Sequence, residues 1–209
     1  MAVSSLTRMT VPLASDQSAS TQGLLMPKLK YRFRLVFEGF GVATGTSRTE
    51  LTKQVVSAAR PNVSFEQINV PIYNSTLKLA GKHAWQDMEV VLRDDAGGNV
   101  SKLVGEQLQK QLDFMEQASA AAGIDYKFQM RYDVLDGGNG VSEPIVLETW
   151  EIYGAYLKSV NYGDSNYGTN EAMTITLSVT YDNAVQYRNG QVSGVGQFIG
   201  RTVGDVITG

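Results

Sequence analysis

The residues able to do chemistry are few, and their spacing argues against it. His83 is the sole histidine and the chain has no cysteine. A metal site with two imidazoles or any thiolate is therefore excluded within one chain. Beside Trp85, His83 reads more simply as a packing or turn residue than as the base of a Ser-His triad. Asp94-Asp95 offers two carboxylates, but a hard-cation site needs six or more oxygens at defined spacing. Just before Gly97-Gly98 the pair reads as turn carboxylates. Glu148 and Glu151 flank Trp150 like the paired acids of a glycosidase. At spacing three on a strand they face opposite sides, which argues against a catalytic pair. The glycines at 194, 196 and 200 miss the G-x-G-x-x-G pattern, and Gly81-Lys82 is followed by His83, not by Ser or Thr. Tyr31, Phe33, Leu35 and Phe37 alternate with Lys30, Arg32 and Arg34, as a single-strand nucleic-acid surface would. Because the four apolar residues share one strand face, core packing explains them better. These residues give no enzyme signature and require neither cofactor nor metal.

What remains is the reading of elements, within bounds set by composition. A chain of 209 residues with 43% apolar and 19% charged residues can bury one sizeable core. A net charge of −3 gives no general attraction to nucleic acid. The N-terminal stretch, broken by Thr10, Pro12, Ser15 and Asp16, lacks a signal-peptide pattern. No run of about 18 apolar residues suggests a membrane span or anchor. Asn62, Asn74 and Asn99 head N-x-S/T triplets, which without a secretion signal read as chance.

Residues 171–181 organise the rest. Met173, Ile175, Leu177, Val179 and Tyr181 alternate with Thr174, Thr176, Ser178 and Thr180, so one strand face is apolar and the other is a row of hydroxyls. Residues 30–37, 88–92, 126–135, 145–153 and 155–162 carry further strands, the last two broken near Gly154. Residues 51–73, with Pro61 and Pro71, predict a long hairpin projecting from the body. One amphipathic helix is predicted over about 99–120, with Asn99 as N-cap and Gly123 as stop, from the three- and four-residue spacing of Val100, Leu103, Val104, Leu108, Leu112 and Met115. The expected fold class is mainly β, a barrel or sandwich with this helix packed outside. Residues 1–29 form an N-terminal arm, 30–187 the barrel domain and 188–209 a Gly-rich C-terminal arm expected to lie on a neighbouring subunit.

In order along the chain, KYRFRLVFEGFG, KQVVSAARPNVSFEQINVPIYNS, LKLAGKHAWQDMEVVLRDD, LETWEIYGAYLKSVNYG and ITLSVTYDNAVQY resemble the major tail tube protein of contractile-tailed bacteriophages. The resemblance covers roughly residues 30–187. It implies hexameric rings stacked into a hollow tube inside a contractile sheath, through which DNA leaves. The implied partners are other copies of the chain, the tail sheath protein, the baseplate and tail terminator proteins, and phage DNA passing without specific binding. The implied location is the virion tail, assembled in the host cytoplasm.

On that resemblance, Arg60, Phe65, Ile68 and Tyr73 in the hairpin, with Phe198 and Ile199 in the C-terminal arm, are the expected inter-subunit residues. Thr174, Thr176, Ser178 and Thr180 are the candidate lumen face, in a bore expected to be net negative so that DNA slides without sticking. The face of Lys30, Arg32 and Arg34 is the other candidate. The tube of an injection or secretion apparatus, or a baseplate tube initiator, would share the architecture. A carbohydrate-binding β-sandwich, with Trp85 and Trp150 as sugar platforms, is a reading from a different class.

Overall fold

The computed structural model describes residues 27–41, 49–137, 144–168 and 170–198. The chain divides into two units, Met1–Arg32 and Phe33–Gly209. Of the first, residues 27–32 are described. They make a turn in which the Arg32 N–H donates to the Leu29 carbonyl (3.2 Å). The Arg32 guanidinium stands 5.4 Å above the Tyr31 ring. Tyr31 is exposed and lies outside any strand, so the expected strand loses its first residues to this turn.

The second unit begins with β1 (Phe33–Glu38), α1 (Thr49–Gln54), β2 (Val55–Ala58), β3 (Asn62–Ile72), β4 (Ser75–Gln86) and β5 (Met88–Arg93). It continues with α2 (Asn99–Gln111), β6 (Leu112–Asp113), β7 (Ala118–Ser119), α3 (Gly123–Tyr126) and β8 (Phe128–Leu135). Last come β9 (Val146–Asn161), β10 (Thr174–Thr180), β11 (Asn183–Arg188) and β12 (Gln191–Val192). The main sheet has eight strands in the order β1-β8-β9-β10-β5-β2, with β11 on β9 and β12 on β11. Its pairings are antiparallel. The fold is thus the expected mainly-β one.

One long strand, β9, carries the sheet around a corner. β9 pairs β11 through Thr149–Tyr153 and β10 through Tyr156–Asn161. Between these stretches lies Gly154 at φ +65, where a Cβ would stand 2.1 Å from the Asp182 carboxylate. Only glycine meets both demands without strain. The two strands expected on either side of Gly154 are therefore one strand, bent where this glycine lets Asp182 approach.

The core is written by alternation. Leu35 and Phe37 of β1, Met130 and Tyr132 of β8, Met88, Val90 and Leu92 of β5, and Ile175, Leu177 and Val179 of β10 are buried. Phe40 joins Phe37 and Phe128 in edge-on ring contacts with centroids 5.4 and 4.9 Å apart. Burying each large side chain contributes roughly 1.5–3 kcal/mol. Edge strands β1 and β2 are not paired with each other; α1 connects them, packs on β1 and β5, and inserts Leu51 into the core.

The major helix is shorter than its periodicity predicts. α2 ends at Gln111; Leu112 adopts an extended backbone, and Asp113 Oδ1 accepts from the N–H groups of Met115 (2.9 Å) and Glu116 (3.3 Å). That side chain offers the backbone a turn instead of another helical turn. β6 and β7 then pair as a small hairpin whose tip exposes Phe114 and Met115. At the start, Gly98 is the N-cap in a left-handed conformation, and Asp95 Oδ1 accepts the Val100 N–H (2.9 Å). The Asn99 side chain donates to Asp95 Oδ2 (2.8 Å) instead of capping. Gly123 opens α3 and stops nothing.

Two glutamines fasten α2 to the sheet. Gln107, fully buried, accepts the Gly41 N–H (3.0 Å) and donates to the Tyr126 carbonyl (2.6 Å). Gln111 donates to the Leu157 carbonyl (2.8 Å) and accepts the Leu157 N–H (2.9 Å). Leu157 lies just beyond Ala155, where β8 stops pairing with β9, so this amide completes the edge as a strand would. Val100 and Val104 of α2 join the core cluster.

Candidate assembly surface

Apart from Trp85, the β3–β4 hairpin stands away from this core. A two-residue turn at Tyr73-Asn74 joins the strands, with Tyr73 at φ +42 and the Ser75 hydroxyl donating to the Ile72 carbonyl (3.2 Å). Every residue of β3 is exposed, and in β4 only Gly81 and Trp85 are partly covered. Its return strand is Ser75–Gln86, so the expected projection is real but begins at Asn62, not at residue 51. Residues 51–58 instead supply most of α1 and all of β2, because Leu51 and Val55 have a core to join.

The expected inter-subunit residues fall on open surface. Arg60 precedes the hairpin and is exposed. Phe65 and Ile68 lie on β3, 62% and 50% exposed, and Tyr73 at the tip is wholly exposed. Phe198 is exposed as well; Ile199 lies outside the described residues.

Up to Val195 the chain folds back on β11, whereas a C-terminal arm was expected from residue 188. Asn189-Gly190, both at positive φ, turns the chain so that β12 pairs with β11. Gln186 accepts from the Ser193 N–H and donates to the Val195 carbonyl, both at 2.9 Å. A Cβ at Gly194 or Gly196 would lie 2.5 Å from Gln186 or 2.7 Å from Val185. Glycine permits this close return.

The candidate lumen row, Thr174, Thr176, Ser178 and Thr180, alternates with buried Ile175, Leu177 and Val179, its own side chains half-buried. On β5, Arg93, Val91 and Glu89 lie opposite Thr174, Thr176 and Ser178; on β9, Asn161 and Ser159 lie opposite Thr176 and Ser178. Thr180 Oγ1 donates to Asp87 Oδ1 (2.7 Å), and Lys158 Nζ reaches Asp87 Oδ2 (2.5 Å). These donors, Lys158 first, hold the Asp87 carboxyl below its ordinary range. Met173 precedes this strand and is exposed, not part of the apolar face.

The other outward face is ionic. Buried Asp133 accepts from Arg34 Nε (3.1 Å) and Nη2 (2.8 Å) and from the Thr149 hydroxyl (2.9 Å), with Arg131 Nε at 3.4 Å. The signal in the sequence was Asp133 alternating with the apolar positions of β8, at register with Arg34. Removing the carboxylate would leave two guanidinium groups without their shared partner.

Neither candidate acid pair is free to react. Glu148 accepts from Trp150 Nε1 (2.6 Å) and Gln186 Nε2 (2.9 Å). Glu151 accepts the Tyr153 hydroxyl, which raises the Tyr153 pKa. Both glutamates border one shallow depression with Arg34, Arg131 and Tyr187, although residues three apart on a strand were expected on opposite sides. Asp95 is occupied by the start of α2, and its donors, the Val100 N–H first, lower its pKa. His83 is exposed on the hairpin between Phe65 and Trp85, with centroids at 6.3 and 6.4 Å. Trp85 lies against Tyr181 (5.6 Å). With Trp85 and Trp150 both packed on the core, the sugar-platform reading fails. Among the described residues, no three His, Asp or Glu side chains converge as metal ligands, and no helix is long and apolar enough to cross a membrane.

No protein-family model and no curated protein matches the chain. Solved structures do. The chain is similar to the tube-terminating cap of the anti-feeding prophage, with TM-score 0.56 and 14% identity over 82% of this chain and 98% of that one. It is similar to a chain of the anti-feeding prophage baseplate, with TM-score 0.54 and 14% identity over 79% and 98%. It also resembles a chain of the sheath–tube complex of an extracellular contractile injection system, with TM-score 0.51 and 13% identity over 78% and 92%. At such identities the likeness is one of fold: the chain folds as components of contractile injection machines do.

Proposed function

We propose that the chain is a structural subunit of the tube of a contractile tail, not an enzyme. Copies close into rings, six to a ring as the resemblance implies, and the rings stack into a hollow conduit inside a sheath. The observation that carries this reading is the β3–β4 hairpin, 11 and 12 residues in its two strands, extended from a barrel of this fold with its apolar side chains uncovered. An isolated two-stranded hairpin is marginal in water, so such a length needs a surface to lie on. Heterologous contacts that close give rings, and those that repeat axially give filaments; a tube uses both.

Arg60, Phe65, Ile68, Tyr73, Phe198 and Ile199 are assigned to contacts between copies, and Thr174, Thr176, Ser178 and Thr180 to the bore. Sheath, baseplate and terminator proteins are the further partners. In a phage tail the passenger is DNA, the particle is the virion tail, and assembly takes place in the host cytoplasm. The structural likeness to extracellular injection machines supports a second reading, a tube or tube-initiating subunit of an injection apparatus.

Negative-stain microscopy of the purified protein tests the class. Rings about one subunit thick, or rods, are expected; a folded monomer at high concentration, with no self-contacts, contradicts the proposal.

A further inference from the structure

The hairpin changes its apolar face halfway along. Phe65 pairs with His83 and Gln67 with Ala80, so between these pairs β3 spends one residue, Glu66, and β4 spends two, Gly81 and Lys82. The extra residue is a bulge in β4, which re-aims the side chains beyond it. At the base, Val63 and Phe65 oppose Trp85 and His83; of these only Trp85 lies on the barrel, against Tyr181, while Phe65 stays 62% exposed. Beyond the bulge, Gln67 and Asn69 continue that face, opposite Ala80 and Lys78, so it turns polar. Ile68, Val70 and Ile72, with Leu79 and Leu77 across from the first two, occupy the reverse side. Gly81 marks the crossing: a Cβ there would meet the Glu66 carbonyl at 3.0 Å and Ile68 Cγ1 at 3.3 Å.

The five tip residues are 37–51% exposed and none is charged. Together they present an apolar patch on the order of 400 Å², a size that marks a contact surface and not scattered exposure. It is also only about half of the ~800 Å² per partner found in a stable two-body interface. One tip therefore cannot hold a partner alone. A closed ring of identical copies, each giving one tip and receiving another, multiplies the contact without adding a new surface.

We infer that the Ile68-Val70-Ile72-Leu77-Leu79 face is seated on a second copy of this chain, on the side of the hairpin opposite to the one from which Trp85 reaches its own barrel. This rests on the tube reading and adds the face to it. Gly81 becomes a positioning residue, since it sets where the hairpin hands over from one subunit to the next.

The test compares equal charge on the two faces of the tip. Val70→Glu with Leu77→Glu charges the apolar face; Asn69→Glu with Thr76→Glu charges the reverse. Both are followed by sedimentation of assembled particles and by thermal melting. The first pair is expected to cut the sedimenting fraction about tenfold or more while the subunit melts as before, because a buried charge must be paired. The second is expected to assemble like the unsubstituted protein. Assembly by both, failure of both alike, or failure of the second alone overturns the assignment of the face. Should the unsubstituted protein not assemble, the tube reading itself falls with it. If the charged pair does not fold, Val70→Cys and Asn69→Cys in this cysteine-free chain, each carrying a thiol-linked photocrosslinker, give the same answer. Adducts between copies are expected from position 70 in at least tenfold excess over position 69; equal yields overturn the assignment.

Discussion

Leu177 and Leu77 are the same residue in two strands of one protein, one fully buried and the other 47% exposed. Leu177 sits mid-strand in β10, paired on both edges, within a core that includes Leu92, Ile152 and Phe37. Leu77 sits in β4, paired only with Val70, on a face with nothing over it. The barrel satisfies its side chains within the chain, whereas the hairpin presents side chains of similar quality to the outside. Burial rather than strand propensity separates the two regions, since both are rich in β-branched and aliphatic residues. Within this chain the barrel is a finished structure, whereas the hairpin leaves its apolar side chains uncovered.

The largest effect expected is on the barrel side. Leu177→Ala should destabilise the dissociated subunit by about 2–5 kcal/mol in denaturant titration, through lost transfer energy and the cavity left behind. Leu77→Ala should change subunit stability by only about 0.5 kcal/mol, as surface substitutions do, while weakening assembly. Equal losses of stability from both would erase the distinction between the regions.

Next comes Gln107→Leu. It removes the partner of the buried Gly41 N–H, at about 1–3 kcal/mol, and that of the half-buried Tyr126 carbonyl, at little further loss. The loss should appear in the melting of the barrel and should leave contacts of the hairpin tip unchanged, as judged by crosslinking from position 70.

The smallest effect is a pH dependence confined to the barrel. The folded-state pKa of Asp95 is depressed below 3.8 by the N–H groups at the start of α2. Its contribution is therefore complete above the unfolded pKa and is lost as pH falls through the lower, folded value. Melting temperature should decline on acidification below about pH 4, and Asp95→Ala should remove part of that decline. An unchanged acid limb in the variant would show that the carboxylate does not hold the helix start.

Much of this was legible in the residues. The alternation from 174 to 180 is the observed strand and core face, and Val100 and Val104 do face inward from α2. Pro61 and Pro71 marked the projecting segment because proline suits an unpaired edge. What escaped were devices that act at a distance or override periodicity. Leu112 and Met115 continued the helical spacing, but Asp113 turned the backbone away. Asn189-Gly190 is a two-residue hairpin turn of the favoured kind, which the glycine-rich composition around it obscured. The side chains of Gln107 and Gln111, neutral and unremarkable in sequence, complete the hydrogen bonding of residues 66 and 46 positions away. The crossing of the hairpin's apolar face was written as broken alternation after Phe65, and only the register at Gly81 explains it.

Hydrogen exchange across the tip, compared between dissociated subunits and assembled particles, asks the central question most directly. The account predicts that amides of residues 67–79 exchange readily in the subunit and become strongly protected on assembly, while barrel strands such as β10 are protected in both. Tip amides that exchange equally fast in both states would contradict it, because the hairpin would then have no neighbour to lie on.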